Sequence, residues 1–176
     1  YESDRTPELA LASAKRLLAA GADSIKLEGP KTDIISYLVE EGIAVVGHTG
    51  LLPQTANSFA KVGRNAEEAL RIQKEAAAIQ QAGAFMLVIE HAPHDLANSI
   101  TQTLTIPTIG IGAGSDCDGQ VLVINDALGL GDYWPPFSKQ YAHVGREIQK
   151  VAQRFSREVE SREFPNNIIQ FTGSKK

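Results

Sequence analysis

The chain has 176 residues, of which 43% are hydrophobic and 22% are charged, as is ordinary for one soluble globular domain. A net charge of −4 argues against nucleic acid as a partner, and no apolar run approaches the roughly 20 residues of a membrane-spanning helix. The one cysteine, Cys117, fits a reducing compartment, so we expect a cytoplasmic protein, or a mitochondrial one in a eukaryote.

Two helices are predicted in the first 41 residues. Thr6 can cap a helix that begins at Pro7, because proline suits the first helical position and a threonine oxygen can accept from a free backbone N–H. Gly21 is the expected end of this helix. Apolar spacing of three and four residues predicts the second helix from Thr32 to Glu41.

Between these helices, residues alternate between apolar and polar. Ile25 and Leu27 fall on one face of a predicted strand, and Lys26 and Glu28 fall on the other. If helices cover the first face, the second must face solvent or the lumen of a barrel. A lysine and a carboxylate at the C-terminal mouth of a lumen would suit an active site. An ordinary Lys–Glu pair on a half-exposed strand explains the pattern equally well.

The next predicted strand comprises residues 43–47 and ends at His48. The long loop from Thr49 to Asn65 is of the kind that often holds substrate. Asn65 can then cap a helix that runs to about Gln81.

The clearest strand is the apolar run 84–89, which leads into Glu90 and is stopped by Pro93. So short a run suits a strand that is buried on both faces, as in a parallel sheet covered by helices. Glu90 would then lie at the C-terminal end of the strand, where α/β folds place their chemistry. A solvated glutamate is the alternative. His91 and His94 have no evident third ligand, so we interpret them as surface or loop residues rather than metal ligands.

The remaining elements continue the alternation of helices and strands. They are a short helix over residues 95–104, a strand over 106–111 with an alternating glycine loop at 110–114, a further buried strand over 120–126, and an amphipathic helix from Tyr141 to Glu160. The last residues, 166–176, are predicted to form a disordered tail.

This alternation predicts parallel strands joined by right-handed crossovers. We expect an α/β fold of the (β/α)8 barrel type, with residues 1–165 forming the C-terminal part of one barrel domain. About five strands are predicted, whereas a closed barrel has eight and typically about 250 residues. The barrel is therefore expected to lack its first three strands here. An open doubly wound sheet is the structural alternative.

Four segments together resemble the ketopantoate hydroxymethyltransferase family. They are Ile-Lys-Leu-Glu-Gly at 25–29, Gly-His-Thr-Gly-Leu-Leu-Pro-Gln at 47–54, Val-Ile-Glu-His-Ala-Pro at 88–93, and the stretch from Ile109 to Val123 that contains Gly-Ile-Gly-Ala-Gly and Asp-Gly-Gln-Val-Leu-Val. Each segment is modest alone, but all four occur in the order and at close to the spacing of that family. The resemblance covers residues 1 to about 165.

This resemblance implies a barrel of the phosphoenolpyruvate mutase/isocitrate lyase type. It also implies transfer of a hydroxymethyl group from 5,10-methylenetetrahydrofolate to 3-methyl-2-oxobutanoate, through an enolate that Mg²⁺ stabilises, in pantothenate biosynthesis. By the same resemblance, Glu90 is the catalytic base, Lys26 binds the keto acid, Glu28 is a metal ligand and His48 lines the substrate site. His48 could bond an enolate oxygen, or be a packed neutral histidine. The family assembles into large rings, so a homo-oligomer, a decamer by resemblance, is expected.

The chain also departs from the family's pattern. Leu52 stands where the family usually has threonine, and residues 58–64 form a shorter loop, which bears on closure over the substrate. Two metal-binding aspartates and a serine of the family would precede Tyr1, so we expect either a piece of a longer protein or a protein whose N-terminal third is supplied elsewhere. Another metal-enolate enzyme of the superfamily, such as a carbon–carbon lyase, and a non-catalytic relative are the alternatives.

Overall fold

A computed structural model describes residues 3–58 and 60–165. The chain divides into two compact units, Tyr1–Val121 and Leu122–Lys176. The first unit contains the helices α1 (Pro7–Ala19), α2 (Thr32–Glu40), α3 (Ala66–Gln81) and α4 (His94–Thr103), and the strands β1 (Ile25–Lys26), β2 (Val45–Gly50), β3 (Met86–Glu90), β4 (Thr108–Ile111) and β5 (Gly119–Gln120). The second contains α5 (Ile124–Leu128) and α6 (Val144–Glu160).

The strands of the first unit form one parallel sheet in the order β1-β2-β3-β4-β5. Each strand therefore pairs with the next strand in the chain. A doubly wound sheet reverses its order at a switch point, whereas a (β/α)8 barrel keeps the order of the chain. The sheet thus has the winding of a barrel, which confirms the predicted fold class over the described residues.

The face of the sheet that meets the helices is the more completely buried of the two. The face that carries Val45, Leu87, Ile89 and Thr108 is fully buried and belongs to the core with the helices. A Cβ on Gly47, on this face, would come within 2.2 Å of Ile79 on α3, so only glycine lets helix and strand approach this closely. The opposite face carries the polar groups at the strand ends, as the alternation at residues 25–28 predicts.

The predicted helix starts are confirmed at both capped ends. The Thr6 hydroxyl accepts from the Leu9 N–H at the start of α1. The Asn65 side chain accepts from the Glu68 N–H at the start of α3. Each bond satisfies one backbone donor that the first helical turn leaves free.

Two strand predictions need correction. The predicted strand over residues 120–126 is wrong, because only Gly119–Gln120 pairs with β4 and a short helix begins at Ile124. Ile124 is 64% exposed, and Gly129 ends the helix in the left-handed conformation. A short apolar run does not by itself distinguish strand from helix. The strand that was predicted to end at His48 is longer than expected, because β2 continues to Gly50.

The second unit is described by itself. The predicted amphipathic helix is α6, which begins at Val144 instead of Tyr141 and leaves Ile148, Val151, Phe155 and Val159 exposed. The predicted tail, residues 166–176, lies outside the described residues, and the assignment of residues 1–165 to a single domain stays a prediction. Among the residues that the structure describes, no helix is long and apolar enough to cross a membrane.

Candidate active site

Three neighbouring strands bring the predicted site residues together. Lys26 ends β1, His48 lies in β2, and Glu90 ends β3. The register pairs Lys26 with Val46 and Gly50 with Glu90. Because side chains alternate along a strand, Lys26, His48 and Glu90 all project from the face opposite the helices. These residues were predicted from separate stretches of sequence. The parallel strands bring their side chains together, with each residue two positions further along the sheet than the one on the preceding strand.

His48 is the centre of this cluster. Its side chain is only 2% exposed. The Lys26 Nζ lies 3.2 Å from His48 Nδ1. On the other side of the ring, His48 Nε2 is 3.0 Å from the Leu51 carbonyl oxygen and 3.3 Å from Glu90 Oε2. The imidazole therefore lies between a cationic and an anionic side chain, and protein groups face both of its nitrogens.

Lys26 and Glu90 remain accessible to a small molecule. Lys26 is an exposed residue, and an ammonium has three N–H donors, of which His48 takes one. The Glu90 side chain is 16% exposed. A carboxylate can take up a proton, and an ammonium can bind an anionic group. The arrangement can thus hold an organic acid while removing a proton from it.

Glu28 lies beside the cluster and is well fixed. It is 9% exposed, and its Oε1 accepts from the Gln54 backbone N–H at 2.8 Å. Its Oε2 is 3.9 Å from His48 Nδ1. The hydrogen bond from Gln54 ties the end of β1 to the loop that follows β2.

The fit of Glu28 to magnesium is only partial. Mg²⁺ prefers six oxygen ligands in nearly octahedral geometry. Within residues 3–58 and 60–165, no group of three or more histidine, cysteine, aspartate or glutamate side chains could hold a metal ion. Glu28 therefore offers one carboxylate, and the described residues alone do not make a Mg²⁺ site.

Gly50 supports Glu90 in a way that the sequence analysis missed. Its φ is +91°, and a Cβ on it would come within 2.2 Å of the Glu90 carbonyl oxygen. The next residue, Leu51, donates its N–H to that same oxygen at 2.8 Å. A glycine just after an apolar strand was a visible signal, but only the register shows that it faces Glu90.

The two histidines beyond Glu90 play different structural roles. His91 has a φ of +48°, and its carbonyl oxygen accepts from the Val62 N–H at 3.1 Å, so it turns the chain directly after Glu90 and anchors the preceding loop. His94 is exposed, with its Nε2 3.2 Å from Asp116 Oδ2. Their interpretation as residues outside a metal site stays a prediction.

Sequence comparison gives a family for this chain. A family model described as ketopantoate hydroxymethyltransferase matches residues 1–167. A relative from Acaryochloris marina is 49% identical over 167 residues, and one from Cyanothece sp. is 46% identical over 169 residues. Both are named 3-methyl-2-oxobutanoate hydroxymethyltransferase, and they match 91% and 92% of this chain. The chain spans only 64% and 65% of the length of these relatives.

Solved structures give the fold. A structure from Burkholderia cenocepacia J2315, named as a candidate phosphonomutase, matches with a TM-score of 0.50 at 12% identity, over 91% of this chain and 66% of that one. A 2,3-dimethylmalate lyase, named as a member of the PEP mutase/isocitrate lyase superfamily, has a TM-score of 0.49 at 12% identity, over 95% and 61%. At 12% identity, the match to the Burkholderia cenocepacia structure indicates a similar fold and nothing more.

Proposed function

Because this chain belongs to the ketopantoate hydroxymethyltransferase family, we propose that the protein carrying it converts 3-methyl-2-oxobutanoate to ketopantoate. The one-carbon donor is 5,10-methylenetetrahydrofolate, and the reaction serves pantothenate biosynthesis. The observation that carries this proposal is the cluster at the strand ends, where Lys26 and Glu90 flank His48 at 3.2 and 3.3 Å. The reaction requires a cation that binds the substrate carboxylate and a base that removes a proton, and the two lie on one face of the sheet.

Glu90 is the proposed catalytic base. Its carboxylate takes the proton from C3 of the keto acid, and the electron pair of the broken C–H bond moves onto the keto oxygen. The resulting enolate carbon then forms a bond to the methylene carbon of the folate. One C–N bond between that carbon and the folate breaks as the C–C bond forms, and the second breaks as water supplies the hydroxyl of the new hydroxymethyl group. Tetrahydrofolate leaves, and its two nitrogens take up the proton from C3 and one proton of the water. Contacts to His48 and the β2 backbone hold Glu90 in place for the first of these steps.

Lys26 is the proposed partner of the substrate carboxylate. Two of its three N–H donors remain after the bond to His48, and two donors suffice for a bidentate contact with a carboxylate. This contact would fix the keto acid at the rim of the sheet and orient C3 relative to Glu90. Orientation of this kind contributes directly to the rate, because reacting groups that are already aligned lose less entropy.

Mg²⁺ is the proposed cofactor, with Glu28 as one of its oxygen ligands. The described residues hold no group of three or more histidine, cysteine, aspartate or glutamate side chains that could bind the ion, so its other ligands would include water or substrate oxygens. The proton transfer proposed above uses only Glu90, Lys26 and their supports. A homo-oligomer and a cytoplasmic location belong to the same proposal.

The test is exchange of the C3 proton of 3-methyl-2-oxobutanoate for deuterium, followed by ¹H NMR with the full-length protein and Mg²⁺ in D₂O. We expect exchange that Glu90→Gln abolishes. Glu75→Gln is the matched control, because it makes the same chemical change on α3, where the Glu75 carboxylate accepts from Thr49. Retention of exchange in Glu90→Gln, or no exchange by the wild-type protein, would overturn the proposal. Cleavage of a different oxo acid without folate would indicate a lyase.

A further inference from the structure

His48 has a role beyond lining the substrate site, and its hydrogen-bond partners define that role. The ring is buried, so water does not compete for its nitrogens. Nδ1 faces the Lys26 ammonium at 3.2 Å, and Nε2 faces the Leu51 carbonyl at 3.0 Å. Because both nitrogens already have protein partners, the histidine has no nitrogen left for an enolate oxygen. This geometry therefore does not favour the prediction that His48 forms a hydrogen bond to the substrate.

The partners also determine which nitrogen carries the hydrogen. A lysine ammonium only donates, so Nδ1 must accept. The carbonyl of Leu51 only accepts, so Nε2 must donate. These partners place the ring hydrogen of His48 on Nε2, and the Nε2 nitrogen lies 3.3 Å from Glu90 Oε2.

We infer that His48 is a positioning residue that orients both Lys26 and Glu90 toward the substrate. Its Nδ1 accepts from Lys26, and its Nε2 lies 3.3 Å from the Glu90 carboxylate, so one buried ring contacts both groups and restricts where each can point. This inference rests on the roles proposed for Lys26 and Glu90.

Two amide variants separate the two sides of the ring. In His48→Gln, the longer amide can reach the Nε2 position and donate toward Leu51 and Glu90, but it offers Lys26 no acceptor at the Nδ1 position. In His48→Asn, the shorter amide can accept from Lys26 at the Nδ1 position, but it leaves nothing beside Glu90. These variants have similar size and no charge, so they differ mainly in which contact they keep.

The kinetic expectation is a split between KM and kcat for C3 proton exchange. His48→Gln should raise KM, because Lys26 loses its restraint, while kcat falls by less than about tenfold. His48→Asn should keep KM near the wild-type value and lower kcat by about 100-fold, the scale on which small misplacements of a reacting group act. Equal changes of KM and kcat in both variants would mean that His48 only packs, and would overturn the inference.

A second measurement tests the inference without relying on enzyme activity. In the ¹⁵N-histidine-labelled full-length protein, the nitrogen shifts show which ring nitrogen bears hydrogen, and the His48 signals are the ones that disappear in His48→Gln. We expect the Nε2–H pattern. An Nδ1–H pattern or an imidazolium would overturn the inference even if the enzyme is active. The Nε2–H pattern in a wild-type protein that shows no exchange would instead count against the proposed function.

Discussion

Replacement of Gly50 by alanine tests how closely β2 supports Glu90, the proposed base, on β3. The new Cβ would lie 2.2 Å from the Glu90 carbonyl oxygen and 3.0 Å from the Glu90 nitrogen. Both atoms are backbone, so the contact cannot be relieved by rotating a side chain. Gly50 also has a φ of +91°, a left-handed conformation that costs alanine about 1–3 kcal/mol. Displacing the packed Glu90 backbone should add about 1–3 kcal/mol.

The chain offers a matched control for the conformational part. Gly21 has a φ of +101°, and a Cβ on it would meet nothing within 4 Å, so Gly21→Ala carries the backbone strain without the contact. Urea unfolding should show that Gly50→Ala loses about 1–3 kcal/mol more than Gly21→Ala. The C3 exchange rate should fall about 100-fold in Gly50→Ala alone, because Glu90 moves. Equal losses of stability and unchanged exchange in both variants would refute the reasoning.

Two further predictions concern contacts outside the site. Asp118 accepts from the Thr108 N–H, and this hydrogen bond holds the pKa of its carboxyl below the usual range. The ionised Asp118 carboxylate therefore stabilises the fold above its unfolded-state pKa, near 3.9, and this stabilisation is lost as pH falls. Between pH 7 and pH 3, the urea midpoint of Asp118→Asn should therefore change less than that of the wild type. Gln80 Oε1 accepts from both Thr105 N–H and Ile106 N–H, so Gln80→Ala should cost about 1–3 kcal/mol in urea unfolding. Gln80→Glu, which keeps the acceptor, should cost clearly less, and equal costs would contradict this explanation.

Local sequence signals predicted most of the helices and the strand that carries the base. Thr6 and Asn65 mark helix starts because their side chains satisfy backbone donors. Each of these hydrogen bonds involves residues only a few positions apart in the chain. The run before Glu90 is a strand because its six apolar residues are too few for a helix and are bounded by Gly83 and Pro93. Such features are local, and so a single sequence reveals them.

Features that depend on register and tertiary packing were not predictable in the same way. The run over residues 120–126 has the pattern of a strand, yet among the described residues its paired register with β4 ends at Gln120, and the chain becomes a helix at Ile124. The close approach of Gly50 to Glu90 exists only because residues 40 positions apart are paired across two strands. The roles of Lys26, Glu28, His48 and Glu90 came from family resemblance, whereas their contacts came from the fold.

The strand order explains why one side chain can contact both Lys26 and Glu90. Lys26 lies on β1 and Glu90 on β3, so their backbones are two strand spacings apart across the sheet, about 9–10 Å. They are also offset along the strands, because Lys26 pairs with Val46 and Glu90 pairs with Gly50. His48 lies on the middle strand, midway between Val46 and Gly50, and its ring contacts both side chains. A residue at this position that could not both accept and donate would leave one of the two charged groups without its partner. The contact to both groups therefore depends on the parallel order of the three strands and on an imidazole that accepts at one nitrogen and donates at the other.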